Sequence, residues 1–394
     1  MLHNYRFKNF FSFQEECEVS LTVSLHVPDS ELLAVSETGQ RVSKILAVMG
    51  PNGSGKTNVI KPLAFLHDFI SKSFHLRPDA HISCQPHFYA QSPESEFEIE
   101  FDSEGEMWRY ELVVTAQRVI REALYRKTSR MFSYVFIREW DSSKEAYEVK
   151  QQGFGFNPKE AAKVRLNASL ISTAAQYGVP LAEQIASLSF STNVDYLGRM
   201  ARSSDRVFVA TELYKQNPLL NNRMVQLLIG WDLGLSSIEI RRIAVPNLQG
   251  EREEIDFPFG IHEAGSQKAE LPLFQESSGT QGAFVLLSRL LPVLEYGGLA
   301  VIDELEADLH PHMLAPILDL FFNPRTNPKN AQIIFTCHAP EILNTLHKSQ
   351  VLLVEKDDHH VSDAWRLDEV KGVRADDNLY AKYMAGAYDA VPQI

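Results

Sequence analysis

The chain has 394 residues, 44% of them hydrophobic, enough apolar material for one large core or two lobes. Its 51 Asp and Glu outnumber 38 Lys and Arg, a balance that argues against a coat of nucleic acid and leaves room only for a local basic groove. No apolar run reaches the roughly 18 residues that cross a bilayer, MLHNYRFKNF lacks the apolar core of a signal peptide, and Cys17, Cys84 and Cys337 are too scattered for a disulfide framework or a metal knuckle, so a cytoplasmic setting without a membrane is expected.

The first third reads as strand. EVSLTVSLHV at 18–27 alternates apolar and polar, and KILAVMG at 44–50 is a short apolar strand running into glycine. EFEIEFDSEGEMWRYELVV is the clearest hairpin, with Phe97, Ile99 and Phe101 on one face and Trp108, Tyr110 and Leu112 on the return; further strands are expected at 118–126 and 133–139. From about Pro158 to Trp231, Ala, Leu, Gln and Ser at spacings of three and four predict several short helices, with no heptad long enough for a coiled-coil arm. From Ser237 onward strand and helix alternate: SIEIRRIAV, a helix opened by ESSGTQ, LAVIDE, a helix from about His312 to Phe322, AQIIFTCH, a helix from Pro340, then VLLVEKDDHHVSDAWRL. That is the pattern of a sheet with helices on its faces. The expected division is an N-terminal lobe at 1–156, a helical insertion at 157–235 and a C-terminal lobe at 236–394.

GPNGSGKT, Gly50 to Thr57, fits G-x-x-x-x-G-K-[ST] between an apolar strand and a helix. Glycines at such spacing let the N–H groups of Asn52, Gly53, Ser54 and Gly55 turn inward around phosphate oxygens at a helix N-terminus. Lys56 would reach the β and γ phosphates and Thr57 would be a Mg²⁺ ligand. Pro62 falls inside the following helix, where it should kink the axis. In LAVIDELEADLHP, residues 299–311, a buried strand delivers Asp303 and Glu304 at its C-terminal end, the edge of an α/β sheet where ligands bind. Asp303 would hold Mg²⁺, usually through a water, and Glu304 would act as general base. AQIIFTCH ends in His338, placed to sense the γ phosphate.

Phosphate loop, long insertion, the helix start Ser277-Ser278-Gly279, a strand ending in Asp-Glu and a strand-end His follow the motif order of ABC-type ATPases. The chain resembles the SMC- and RecF-like branch of that superfamily, and more closely the RloA-like AAA-family ATPases found beside bacterial restriction and anti-phage genes. The stretches that carry the resemblance are FKNFFSF, the phosphate loop, SEFEIEF, ESSGTQ, VIDELEADLHP, FTCH, VEKD and the tail YMAGAYDAVPQI. It implies an α/β fold, an ABC-type P-loop NTPase head with a β-rich N-terminal lobe, a central strand–helix sheet and a helical insertion. It further implies ATP hydrolysis with Mg²⁺ in a homodimer or higher homo-oligomer. There the signature segment Ser277, Ser278 and Gly279 of one copy would cap the ATP held by the phosphate loop of another. On the same resemblance, ATP-driven pairing of heads is a switch acting on a separately encoded effector in anti-phage defence.

Some positions depart from the family pattern. Phe11 stands where NFRSF carries a basic residue, leaving Lys8 or Asn9 for any phosphate contact there. His310 stands where transporter-type ATPases carry an aspartate, as on the RecF and RloA side, and the coupling glutamine falls to Gln85 or Gln91. The alternative reading is a DNA-repair or recombination ATPase of the RecF or SMC kind, with DNA as partner; a transporter motor fits less well because of the long insert. The basic run Arg118, Arg121, Arg126, Lys127 and Arg130 reads as a solvated face, and EKDDHHV at 355–361 as an exposed turn. VLLVEK faintly resembles the first strand of a nuclease domain found on related ATPases, but only 39 residues follow Glu355, so no nuclease is expected.

Overall fold

The computed structural model describes residues 1–200, 204–246, 252–307, 309–374 and 376–391. Strand β1 (Leu2–Lys8) pairs antiparallel with β2 (Cys17–Ser20). The strand expected over 18–27 leaves β1 at Leu21: Leu21 and Val23 bond to Ser43 and Arg41 of the next ribbon, and beyond them the chain turns, the carbonyls of Ser24 and Val27 accepting from the Arg41 guanidinium at 2.8 and 2.6 Å. A short ribbon, β3 (Leu33–Val35) and β4 (Arg41–Ser43), leads into β5 (Ile45–Met49), buried at every position, and then α1 (Lys56–Lys72). Pro62 lies inside α1 without ending it.

β6 (Ser95–Ser103) and β7 (Glu106–Val114) form the expected hairpin, turning on Glu104 and Gly105 at φ 52° and 74°. It continues through β8 (Val119–Lys127), β9 (Phe132–Asp141) and β10 (Ala146–Gln151) to give a seven-stranded sheet ordered β10-β9-β8-β7-β6-β1-β2. Helices α2 (Pro158–Ala161), α3 (Leu170–Gln176) and α4 (Pro180–Ala186) follow. Arg138 and Glu122, both buried in the sheet, form an ion pair that also binds that helical stretch, with Arg138 Nε left without a hydrogen-bond partner and Glu122 Oε1 accepting from Tyr110 of the sheet as well. Arg138 donates to the carbonyls of Val164, Arg165 and Ala168, and Glu122 accepts from Ser169 Oγ and Leu170 N. A buried charge pair needs such satisfaction to be tolerated.

β11 (Phe190–Thr192) is a strand within the stretch expected to be helical; three residues are too few to show a period. Then come α5 (Ser204–Gln216), α6 (Pro218–Gly230) and an antiparallel sheet of β12 (Ser237–Pro246), β13 (Arg252–Ala264) and β14 (Gln267–Pro272). Only β12 was expected: β13 carries an apolar alternation, Ile255, Phe257, Phe259 and Ile261, but Pro258 and Gly260 interrupt it, and β14 is exposed over nearly its whole length. The last part holds α7 (Ser278–Tyr296), β15 (Leu299–Ile302), α8 (Leu314–Phe322), β16 (Gln332–Thr336), β17 (Val351–Lys356), β18 (Ser362–Arg366) and α9 (Leu379–Met384). The helix expected from Pro340 is only a 3-10 turn, Pro340–Asn344, closed by Thr345, whose N and Oγ1 both donate to the Ile342 carbonyl.

The second sheet runs β11-β15-β16-β5-β17-β18, parallel except at its last pair. Its strands feed two cores by alternation: Leu46, Val48, Val301 and Ile334 face one, while Ile45, Ala47, Met49, Ile302 and Phe335 face the other. β15, β16 and β5 are neighbours and parallel, so the ends that lead to Asp303, Cys337 and Gly50 lie side by side at one edge. No helix among the described residues is long and apolar enough to cross a membrane.

Candidate nucleotide site

The loop between β5 and α1 is shaped by glycine. A Cβ on Gly50 would stand 2.2 Å from the Val354 carbonyl oxygen. One on Gly55, the N-cap of α1 at φ 112°, would stand 2.5 Å from Ser362 Oγ and 2.9 Å from Ser12 Oγ. Those two hydroxyls brace the loop: Ser362 Oγ donates to the Ser54 carbonyl at 2.6 Å and lies 2.8 Å from Ser12 Oγ, which accepts from Asn58 Nδ2. Lys56 is buried, and its Nζ donates to the carbonyls of Gly50 and Pro51, both at 2.8 Å. Burial pushes its pKa down to about 8, against the pull of the Asp303, Glu306 and Glu304 carboxylates. Ser54 Oγ is buried without a hydrogen-bond partner. A backbone cradle at the start of a 17-residue helix, a buried ammonium and an unpartnered hydroxyl fit a polyphosphate.

Asp303 is buried at the end of β15. Thr57 Oγ1 donates to its two carboxylate oxygens at 3.1 and 3.0 Å, and Thr336 Oγ1, at the end of β16, donates to Oδ1 at 2.6 Å. Thr336 Oγ1 in turn accepts from Glu304 N at 2.7 Å. The hydroxyl of Thr57 beside the Asp303 carboxylate is a hard-oxygen pair of the kind that holds Mg²⁺, which draws its other ligands from phosphates and water.

Glu304 is a non-glycine residue at φ 51°, and its carboxylate forms an ion pair with Arg199. The two line a cavity of about 260 Å³ together with Arg206, Gln281, Gly282 and Arg289. His338 is exposed just past β16, its backbone N donating to Glu306 Oε1 at 2.6 Å. Ser277 caps α7, its Oγ accepting from Thr280 N at 3.1 Å. Ser277 and Ser278 are exposed and Gly279 half-buried. The cavity beside the phosphate loop is walled by Pro51 to Ser54, Glu15, Glu16, Lys356, Asp358 and their neighbours, and none of Ser277, Ser278 and Gly279 is among its described lining residues. Within one chain, Lys56, Thr57, Asp303 and Glu304 are gathered, and the signature segment is not brought to the loop cavity.

The family model described as "AAA domain, putative AbiEii toxin, Type IV TA system" matches residues 45–344. The chain belongs to this family. Among solved structures, this AAA-domain protein is similar to an SMC head bound to the C-winged helix domain of ScpA, with TM-score 0.50 and 13% identity over 94% of this chain and 99% of that one. It is also similar to the SMC head domain from Thermotoga maritima, with TM-score 0.45 and 14% identity over 93% and 98%. At 13% identity the first likeness shows the fold: an SMC-like, ABC-type P-loop head, the expected class. No curated protein matches the sequence.

Of the remaining expectations for the AAA-domain protein, a phosphate contact from Asn9 is overturned, while the solvated basic face and the exposed EKDDHHV turn are as expected. Asn9 is not available to a phosphate: its Nδ2 donates to the carbonyls of Ser92 and Glu94 and its Oδ1 accepts from His87 N, fixing the 87–94 loop. Gln85 and Gln91 are both exposed, and Gln85 supports the FKNFFSF turn through its carbonyl, which accepts from Phe11 N. In the basic run, Arg121 pairs with Glu111 and Glu139, Arg126 with Glu106, and Arg118 lies over the Trp140 ring. EKDDHHV is a turn in which Asp357 Oδ1 accepts from the N–H groups of His359 and Val361, and no group of three or more metal-ligating side chains occurs among the described residues. Asp308 of ELEADLHP and the last three residues of the tail, 392–394, lie outside the described residues.

Asn193, Arg199, Thr336, Ser12 and Ser362 were missed as site residues. Thr336 stood in the quoted FTCH, where a hydroxyl ending a buried strand beside the Asp-Glu strand was a usable signal. Asn193 and Arg199 belong to no motif.

Proposed function

We propose that the chain is a Mg²⁺-dependent ATPase whose nucleotide state controls pairing of two heads, and that this pairing switches a partner effector. The convergence of Lys56, Thr57, Asp303 and Thr336 from three adjacent strand ends carries the reading. Mg²⁺, when bound, draws charge from the β and γ phosphates. Thr57 and Asp303 would hold it, Asp303 directly or through a water. Asn52, Gly53, Ser54 and Gly55 offer backbone N–H groups to the phosphate oxygens, and Lys56 neutralises their charge. The Glu304 carboxylate takes a proton from the attacking water as that oxygen bonds to the γ phosphorus and the bond to the ADP oxygen breaks. His338 stands at the end of the neighbouring strand to contact the γ phosphate.

Exposure of Ser277 and Ser278 on the start of a 19-residue helix, away from the cavity at their own loop, supports their use by a second copy. Homodimers or higher homo-oligomers with shared ATP sites follow. The RloA-like resemblance and the family's toxin–antitoxin description support a cytoplasmic role in anti-phage defence on a separately encoded effector; the SMC head with a ScpA domain seated on it shows that such a fold can carry a partner protein.

A second reading, a DNA-binding ATPase of the SMC or RecF kind, is favoured by the fold likeness and opposed by the carboxylates that already pair with Arg121 and Arg126. Phosphate release from ATP, wild type against Lys56→Ala, tests the first reading: the wild type should hydrolyse ATP and the variant should not, and equal rates would remove the loop from the reaction. Salt-sensitive DNA binding that strengthens with ATP would favour the second.

A further inference from the structure

Residues 193–200 form a small closed hairpin that meets the nucleotide site at three residues, Asn193, Gly198 and Arg199, while Val194 is buried in the core and Asp195 and Tyr196 line a separate cavity with Phe65 and Asp68. Val194 and Arg199 bridge, Met200 N donates to the Asn193 carbonyl at 2.8 Å, and Asp195 Oδ1 accepts from Leu197 N and Gly198 N. Its first residue, Asn193, holds the Asp303 backbone. Gly198, at φ 131°, lies against α1, where an added Cβ would stand 3.9 Å from Thr57 Cγ2 and 4.0 Å from Lys61 Cε. The next residue, Arg199, pairs with Glu304. One turn thus holds the Asp303 backbone through Asn193, lies against the Thr57 side of α1 through Gly198, and places the Arg199 guanidinium on Glu304.

Building on the ATPase reading, we propose that Arg199 is a latch that tells triphosphate from diphosphate: it pairs with Glu304 until a γ phosphate competes for it, and its transfer frees the base. The physical chemistry favours exchange. Both side chains are partly exposed, 30% and 39%, and a solvent-screened carboxylate pair is weak, whereas a guanidinium binds phosphate oxygens with two parallel donors. Glu304 is the one carboxylate among the described residues lining its cavity, whose lining also includes Arg206 and Arg289, so the cavity keeps two other guanidinium groups when Arg199 leaves. The backbone of Glu304 stays fixed through the exchange, its N–H held by Thr336 Oγ1 at 2.7 Å. Arg199 acts on hydrolysis through Glu304 and is a positioning residue for it.

The test is a binding cycle on the full chain with Mg²⁺ and either a non-hydrolysable ATP analogue or ADP. It compares wild type, Arg199→Ala, Glu304→Gln and the double variant. Glu304→Gln should tighten the analogue about tenfold by releasing Arg199, the gain should vanish in the double variant, and ADP affinity should stay level throughout. Arg199→Ala alone should loosen the analogue by a similar factor, with Arg199→Lys in between; the lysine variant also serves the cycle if alanine unfolds the hairpin. A gain that persists in the double variant, or an Arg199→Ala effect equal for both nucleotides, overturns the latch and leaves the ATPase reading standing. A wild type that binds neither nucleotide overturns both.

Discussion

Asn193 grips the backbone of Asp303 with both ends of its amide: Asp303 N donates to Asn193 Oδ1 at 2.7 Å, and Asn193 Nδ2 donates to the Asp303 carbonyl at 2.9 Å. The edge strand β11 thereby fixes the carboxylate at the end of β15 to which Thr57 donates. Asn193→Ala leaves a half-buried N–H and carbonyl unpaired, at about 1–3 kcal/mol. The expected outcome is a lower melting temperature and a weaker stabilisation by Mg²⁺ with nucleotide, both read by thermal unfolding. An unchanged response to Mg²⁺ with nucleotide would mean that Asp303 needs no such anchor.

Gly50 is the tightest point of the loop, with φ 152° and the Val354 carbonyl 2.2 Å from where a Cβ would be. Backbone cannot move aside as a side chain would, so Gly50→Ala should cost about 1–3 kcal/mol of stability. Chemical denaturation without nucleotide measures this directly. A variant as stable as wild type would show the loop to be freer than its geometry indicates.

Lys56 gives a pH signature. Burial lowers its pKa from 10.5 to about 8, so between those values the unfolded chain binds more protons than the folded one, and this group's contribution to stability rises with pH across that window. Polyphosphate bound at Lys56 favours the ammonium, so binding above pH 8 should take up a proton and weaken as pH rises. Calorimetry in buffers of different ionisation enthalpy should show the uptake in wild type and lose it in Lys56→Ala; identical proton exchange in both would contradict it.

Glu304→Gln retains the shape of the side chain and removes the base. Hydrolysis should fall by about 10²-fold or more, and with ATP the variant should accumulate as a larger assembly in size-exclusion chromatography. An unchanged rate would take Glu304 out of the base role.

The features legible in the sequence are local or periodic. GPNGSGKT and VIDEL announce themselves because a phosphate cradle and a strand-end acidic pair are contiguous in sequence, and parallel β5, β15 and β16 then bring them together. The fold class followed from the same alternation. Arg199 and Asn193 were invisible because their partners, Glu304 and Asp303, lie 105 and 110 residues away and β11 is too short to carry a period. β14 was missed because an exposed strand has little apolar alternation to show, and β13 because Pro258 and Gly260 interrupt the alternation of Ile255, Phe257, Phe259 and Ile261. The 18–27 stretch and the turn at Pro340 ended early for the opposite reason: the pattern was present, but past Val23 the carbonyls turn to the Arg41 guanidinium, and past Asn344 Thr345 closes the turn.

On the proposed reading each ATP site is completed by a second copy, so mixing two differently disabled subunits should restore activity. Lys56→Ala keeps an intact Ser277 segment but no competent loop; Ser277→Arg keeps the loop and blocks the segment. Each alone should be inactive, while an equal mixture should recover about a quarter of the wild-type ATPase rate, since half the dimers carry one complete site of two. A Ser277→Arg protein that hydrolyses ATP at the wild-type rate on its own, or a mixture as inactive as its components, would contradict the account.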